Sequence, residues 1–515
     1  MMTQRFFRPH ERLAIYAAER GLCTICGTTL QPGFHGDHIA PACHGGPTDV
    51  TNAQGLCPRC NAVKGASTNS DVPTPPSTLP ALPPLTKPLR AWQERGFVGW
   101  QHLRAEGRRD VLVTAPPGSG KSLFAARIMH EEITSGRADR IVIVVPSQVL
   151  KRQWAGVAQS VGLRLAASWG NDAVVLPPDT HGVIVTYAQN ARLPEALRIH
   201  CSRHRVLVVF DEIHHGADGL SWGDGIREAF EHAQVRLSLS GTAWRGDAAS
   251  IPFVTYDGDG NSIADVGYGY AEALADRIVR EAYFFSQKGQ VRWLDGQGEH
   301  EATFEDELHP GRMSRRLRAA LDVNGDWLPT VMRQAANALE GVRQTHARAK
   351  GLVVCMDGSH ARAVADMAAR ITGERPVVAL SNDPEAAQSL ATFRTGGARW
   401  LVVCRMAGEG FDCPDLRVCL WATNVMTELS FRQIVGRTIR MVPGLEYQDA
   451  QIFLPADRRL LAMARSILAE RAQALGDHNR TERWGCWAAG QVAGAPYLWR
   501  CTQRQRRAPS SAAAR

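Results

Sequence analysis

From about Leu89 onward, short β-branched runs alternate with longer amphipathic stretches: VLVT from 111, IVIVV from 141, VIVT from 183, VLVVF from 206 and LSLS from 237. Short continuous apolar runs of this kind, separated by segments of helical period, predict strands of a parallel sheet covered by helices. A more polar, glycine-rich region follows. Then GLVVC at 351, WLVVC at 400 and VCLWAT at 418 repeat the rhythm and predict a second α/β lobe. Residues 456–475 place Leu460, Leu461, Ala464, Ile467, Leu468 and Leu475 largely on one helical face, which predicts a helix packed on that second lobe. Beyond it, Trp484, Trp487 and Trp499 stand among small residues, and the basic end QRQRRAPSSAAAR has too little apolar content to fold alone.

Residues 66–88 are rich in Pro, Ser and Thr with neither helical nor strand period, and read as an extended, semi-rigid spacer. The spacer divides a small module at 1–65 from a first lobe at 89–285. An inter-lobe segment at 286–345, a second lobe at 346–456 and a C-terminal helix and tail at 457–515 complete the expected organisation. A chain of 515 residues is too long for one core and predicts three or four domains. With 44% hydrophobic and 21% charged residues the composition excludes a wholly disordered or collagen-like chain. The net charge of +8 attracts polyanions without proving that any is bound. The first twenty residues lack an apolar core of signal-peptide length, and runs such as Ile141 to Val145 are far too short to span a bilayer; the expectation is a cytoplasmic protein with no membrane partner. Five of the twelve cysteines crowd between Cys23 and Cys60, which in a reducing compartment suggests metal rather than disulfides.

The run Ala115-Pro116-Pro117-Gly118-Ser119-Gly120-Lys121-Ser122 follows a predicted strand and opens a predicted helix. Its glycines let backbone N–H groups close around phosphate oxygens, Lys121 neutralises the β/γ charge, and the Ser122 hydroxyl can ligate magnesium. Ala115 stands where the strict P-loop pattern has Gly. Ninety residues on, VLVVF ends in Asp211-Glu212-Ile213-His214. Two carboxylates at the C-terminal edge of a strand can divide the work of phosphoryl transfer, one holding magnesium while the other orients the attacking water.

These two motifs together resemble the superfamily 2 DExH-type helicases, in their restriction and phage-defence branch, and the remaining family motifs appear in order over about residues 89–455. Val145-Pro146-Ser147 with Gln153-Trp154 is similar to the segment that contacts nucleic acid after the first strand pair. Ser240-Gly241-Thr242-Ala243 is similar to the motif that couples hydrolysis to strand movement. Gly408-Glu409-Gly410-Phe411-Asp412 resembles the fifth motif, and Gln433 through Gly436, Arg437 and Arg440 resembles the sixth. The resemblance implies two tandem RecA-like parallel-sheet lobes that bind ATP between them. It implies that Gly410, Asp412 and Gln433 meet the nucleotide, that Arg437 and Arg440 reach the phosphates from one helical face, and that His214, Ser240 and Thr242 couple the lobes. An arginine delivered in this way raises phosphoryl-transfer rates by about 10³ to 10⁵ in related enzymes. Gln93, in Leu89-Arg90-Ala91-Trp92-Gln93, is a candidate adenine reader. The segment Tyr268 to Phe285 is similar to the one after the third motif in restriction-type helicases.

Cys23-x-x-Cys26 and Cys57-x-x-Cys60 are two knuckles separated by thirty residues, a spacing that suits one closed, structural, tetrahedral zinc. Such a staple replaces the core that about 60 residues cannot build unaided. Between and after the knuckles lie Asp37-His38, His44-Gly45-Gly46, Asn52 and Cys60-Asn61 with Lys64. Over nearly all of residues 20–65 this resembles the HNH endonucleases, small ββα-metal modules. The resemblance implies that His38 is the general base, that Asp37 and Asn61 ligate a divalent cation (Mg²⁺ or Mn²⁺), and that Asn52 holds the loop carrying the base. The third motif letter is Asn61 rather than the commoner His, which keeps an oxygen ligand suited to magnesium. His35, Cys43 and His44 read as loop or packing residues.

Taken together, the chain reads as an ATP-, Mg²⁺- and Zn²⁺-dependent DNA translocase or helicase joined to an HNH endonuclease. It is expected to act on foreign DNA, alone or with other defence or restriction subunits. A motor whose zinc module only targets DNA and a helicase acting on RNA are the alternatives.

Overall fold

The computed structural model describes residues 6–67, 81–169, 179–192, 194–217, 220–241, 251–258, 260–296, 298–380, 383, 385–404 and 411–474. Thr242, Ala243, Gly408, Glu409, Gly410 and the three C-terminal tryptophans lie outside the described residues.

The N-terminal module has an antiparallel pair, β1 (His35–His38) and β2 (Ala53–Leu56), followed by the helix Pro58–Lys64. A helix at Pro9–Ala18 packs on β2. The first lobe contains β3 (Asp110–Thr114), β4 (Arg140–Val145), β5 (Leu165–Ala166), β6 (Gly182–Thr186), β7 (Val206–Phe210), β8 (Val235–Ser240) and β9 (Val266–Gly267). They form one sheet in the order β5-β6-β4-β7-β8-β3-β9, every pair parallel. The five apolar runs read from the sequence are its five longer strands. Each is buried on both faces, as a sheet covered by helices requires.

The second sheet gathers β10 (Glu281–Gln287), β13 (Lys350–Cys355), β14 (Val377–Ala379), β15 (Trp400–Cys404), β16 (Leu416–Ala422) and β17 (Asp449–Pro455), with β11 (Gln290–Asp295) and β12 (Gly298–Thr303) forming a separate hairpin between them. Its order is β10-β17-β16-β13-β15-β14, again all parallel. Glu281–Gln287 therefore straddles the boundary expected at 285 and belongs to the second sheet. The segment expected between the lobes supplies the hairpin and two helices, Pro310–Ala320 and Trp327–Arg343. Leu317, Leu328 and Val331 share a core with Val353 and Val418 of the second sheet. The last helix, Arg458–Ala474, matches the expectation for 456–475, but it packs on β10 and on the helix Tyr270–Ala275, so it touches both lobes.

The spacer is also more structured than expected where it is described. Leu82 and Leu85 pack against the neighbouring hydrophobic core, and the Pro83 carbonyl lies 2.8 Å from His130 Nε2.

The lobes meet at close quarters. Arg280 N–H donates to the Ile439 carbonyl at 2.7 Å, and Tyr270, its hydroxyl donating to the Arg280 carbonyl at 3.1 Å, anchors the start of β10. Gly436 lies against Pro117; a Cβ there would stand 2.6 Å from Pro117 Cγ, well inside contact distance. The helix Glu428–Thr438, which carries Gln433 and Arg437, is fastened to the second sheet by fully buried Phe431, whose ring centroid is 5.2 Å from Trp421 and 5.8 Å from Phe284. Phe431→Ala is expected to destabilise the second lobe by about 3–5 kcal/mol, read as an earlier urea transition of that lobe; an unchanged transition would show that the helix is held by other contacts.

Candidate nucleotide cleft and metal centre

The loop after β3 ends in Gly118 and Gly120, both at left-handed φ (83° and 96°), and Gly120 caps the helix Lys121–Thr134 without any side-chain acceptor. The helix thus begins with unsatisfied N–H groups, the feature that binds anions. The loop is braced from behind. Arg90 Nη1 donates to the carbonyls of Gly118 and Ser119 (3.0 and 2.8 Å), Trp92 Nε1 to that of Ser119 (3.0 Å), and Gln93 Nε2 to that of Gly120 (2.9 Å). Gln93 is fully buried and its Oε1 accepts from Arg90 N–H at 2.8 Å, so in this structure it braces the loop. The ammonium of Lys121 rests 2.8 Å from the Ala115 carbonyl and 3.7 Å from Glu212 Oε1. Ala115 is itself pinned by its N–H donating to the Ser240 carbonyl at 3.1 Å.

Asp211 and Glu212 leave the end of β7. Asp211 Oδ2 accepts from Trp154 Nε1 at 2.7 Å, and its carbonyl accepts from the Tyr187 hydroxyl at 2.9 Å. Trp154, expected among nucleic-acid contacts, is instead buried beneath this acid, while neighbouring Gln153 lines the cleft. Burial, with the neighbouring Glu212 charge behind it, pushes the Asp211 carboxyl up to about 6. Burial acts on Glu212 too, but Lys121, His214 and His215 outweigh it and hold its pKa below the ordinary value. Adjacent acids with pKa values driven apart are a pattern of sites that divide ligand and base roles. Glu212 also holds φ at +49°, a left-handed conformation that costs energy in a non-glycine residue and so marks a place where geometry is imposed.

The second lobe supplies the facing wall. Gln433 Nε2 lies 2.9 Å from His214 Nε2, joining the two lobes directly. Arg437 sits in the last turn of its helix, which ends at Thr438; Arg440 lies beyond, bridged to Val279. The single helical face expected for the two arginines is therefore replaced by a helix end and a turn. Both still line one open cleft with Gly118, Lys121, Ser122, Asp211, Glu212 and Asp412. Arg440 is paired with Asp412 and its stem runs past Gly118, so Asp412 is engaged in aiming the arginine.

In the N-terminal module the sulfur atoms of Cys23, Cys26, Cys57 and Cys60 all lie within 4.8 Å of one another. A tetrahedron of zinc–sulfur bonds of about 2.3 Å has edges of about 3.8 Å, so this donor set fits a closed structural zinc. His38 is buried against Phe7, and its Nε2 lies 2.9 Å from Thr48 Oγ1. Burial first, and Lys64 as a smaller cause, lower its pKa against the opposing charge of Asp37, which favours the neutral imidazole. Asn52 accepts from Ala40 N–H at 2.8 Å and donates to the carbonyls of Ala40 (3.0 Å) and Pro47 (2.9 Å), which fastens the loop following His38. Asp37 Oδ2 is taken by Lys64 Nζ at 2.8 Å and by Gln54 Nε2 at 3.1 Å, and Asn61 stands on the adjoining helix. Sequence reasoning missed Thr48, Arg90, Trp92 and the bracing role of Trp154. Arg90, Trp92 and Trp154 lie in runs that the sequence reading quoted, but their roles show only in their contacts.

Residues 86–245 match the family model described as type III restriction enzyme, res subunit, and residues 23–73 match the HNH endonuclease model. The chain thus pairs a segment similar to restriction-enzyme res subunits with one similar to HNH endonucleases. An uncharacterized protein of Mycobacterium tuberculosis (strain ATCC 25618 / H37Rv) is 42% identical over 399 residues, covering 76% of this chain and 65% of that protein. The chain thus spans just under two thirds of the length of that curated relative. Among solved structures, the fragment of a putative HsdR subunit of a type I restriction enzyme from Vibrio vulnificus YJ016 superposes with a TM-score of 0.52 at 14% identity, over 74% of this chain and 66% of that one. The ATP-dependent Type ISP restriction-modification enzyme LlaBIII, bound to DNA, superposes at 0.50 and 14% identity, over 75% and 30%. At that identity the likeness concerns the fold, and the fold is two RecA-like lobes.

If the four thiolates hold the module together through zinc, a strong chelator is expected to abolish hydrogen-exchange protection in residues 22–64 while leaving the helix Lys121–Thr134 protected. Protection in 22–64 that survives a chelator would refute the zinc staple.

Proposed function

We propose that this chain is an ATP-driven DNA translocase or helicase carrying a metal-dependent HNH endonuclease, acting on foreign DNA. The observation that carries the reading is the shared cleft, in which Lys121, Ser122, Asp211 and Glu212 on one wall face Arg437 and Arg440 on the other. In this reading the open N–H groups of the Lys121 helix and the Lys121 ammonium hold the β- and γ-phosphates, and Ser122 with Asp211 holds magnesium. The magnesium ion, when bound, offsets charge on the transferring phosphoryl group. Glu212, held ionised, orients water, and the arginines stabilise charge that develops in the transition state. The contact of Gln433 with His214 gives lobe closure a direct line to the acid pair, so hydrolysis and lobe movement are coupled.

In the N-terminal module neutral His38 accepts a proton from water, with Thr48 and Asn52 fixing its ring and loop. Asp37 and Asn61 hold the cation that offsets charge on the scissile phosphate. One observation favours the reading in which the module only targets DNA: the Lys64 ammonium is buried on Asp37, a position that a divalent cation must share or take over. DNA is favoured over RNA by the restriction-enzyme family match and by the DNA-bound structural relative.

Supercoiled plasmid incubated with magnesium or manganese, with and without ATP, separates the readings. The wild type is expected to nick it, His38→Ala to lose nicking with ATP hydrolysis retained, and Lys121→Ala to lose ATP hydrolysis to background with the zinc module still folded. Nicking that persists unchanged in His38→Ala rules out the nuclease assignment, and hydrolysis that persists in Lys121→Ala rules out the P-loop assignment. Binding to duplex DNA is expected to weaken steeply with salt, with a log–log slope of about −0.9 per neutralised phosphate; a flat response would show that the backbone is not what the motor grips.

A further inference from the structure

The N-terminal module does not hang from its spacer. The helix Pro194–Arg203 of the first lobe lies along the helix Pro9–Ala18, and its Ala196 and Ile199 share one apolar cluster with Phe7, Ile15 and Val50. Three ionic contacts flank that cluster: His10 with Glu195 at 3.7 Å, Arg198 with Asp49 at 3.0 Å, and Arg203 with Glu19 at 2.8 Å.

Two of these lobe arginines reach the segment that orders His38. Arg198 meets the carboxylate of Asp49, which accepts from Thr51 N–H at 2.9 Å and opens the turn Val50–Asn52. Immediately before Asp49, Thr48 touches the His38 ring; at the end of the turn, Asn52 holds Ala40 and Pro47. Arg203 Nη2 donates to the Ala53 carbonyl at 2.6 Å, and Ala53 is the cross-strand partner of His38. Guanidinium groups of the motor lobe therefore grip the segment 48–53 near both ends. A short irregular segment has little ladder of its own to hold it, so its order depends on such side-chain anchors. Arg198 and Asp49 are 22% and 32% exposed, and Arg203 and Glu19 26% and 9%, so both pairs are shielded more than surface pairs are.

We propose that Arg198 and Arg203 are positioning residues of the nuclease site, so that the ATP-binding lobe is a structural part of the cutter and not the far end of a tether. The catalytic consequence rests on the nuclease reading given above; the structural consequence does not.

The test uses the full chain with Arg198→Ala, Arg203→Ala and the conservative Arg198→Lys. Hydrogen exchange in residues 39–56 is expected to quicken by about tenfold or more in both alanine variants, with the helix Lys121–Thr134 unchanged as the internal control for folding. Nicking of supercoiled plasmid is expected to lose about tenfold or more in kcat with KM nearly unchanged, because neither arginine touches DNA in this scheme and misplacement of the base slows only the chemical step. Arg198→Lys is expected to recover a part of both. Unchanged exchange in both alanine variants overturns the proposal. So does quickened exchange with unaltered nicking, and so does a loss confined to KM, which would make the arginines DNA contacts. Should the wild type itself not nick, the nuclease reading falls on its own and the exchange measurement still decides whether the lobe orders the segment.

Discussion

Two carboxylates side by side in a shielded cleft cannot both remain ionised without cations close by, and the architecture of the two lobes follows from that constraint. Asp211 and Glu212 leave the end of one strand together, and the molecule separates them chemically. Asp211 is buried on Trp154 with its pKa raised, while Glu212 turns through a left-handed conformation to face Lys121 and two histidines. The resting site satisfies itself with what it has, the Lys121 ammonium lying between the Ala115 carbonyl and Glu212. A polyanion with a divalent cation relieves this arrangement, since it gives the ammonium a stronger partner and the acids a counter-charge. On the reading proposed above, the facing guanidinium groups then have a target across a cleft whose walls already touch at Gly436 and Gln433.

The same economy of counter-charges organises the N-terminal module. With too few residues to build a core, it leans on four thiolates at one end and on a lobe helix at the other. Its histidine is kept neutral by burial against Phe7, and its acid is held by a buried lysine.

Much of this was legible in the chain because the central strands are buried on both faces and so read as unbroken apolar runs. The strands that escaped notice are those where that condition fails. Glu281–Gln287 is an edge strand whose residues alternate between buried Ala282 and Phe284 and exposed Tyr283, and Asp449–Pro455 begins with polar residues. Neither produces the continuous signal of the interior. Among site residues, those whose chemistry depends on a local run of sequence, such as the glycines before Lys121 and the cysteine pairs, were visible. Those whose role depends on a distant partner were not. Gln93 reads as a candidate adenine ligand in sequence, and nothing there shows that its amide also holds the Gly120 carbonyl. The helix carrying Arg437 stops at Thr438, three residues short of what a simple spacing argument needs to reach past Arg440.

The missing side chain at Gly436 has a consequence of a different kind. Where it meets Pro117 the two lobes approach with no room for a methyl group, and the contact involves no charge and no hydrogen bond. A side chain there would wedge the lobes apart, and because Pro117 belongs to the loop before Lys121 and Gly436 adjoins Arg437, the facing groups of the cleft would move with the lobes. The width of the cleft is thus set by the absence of a single methyl group.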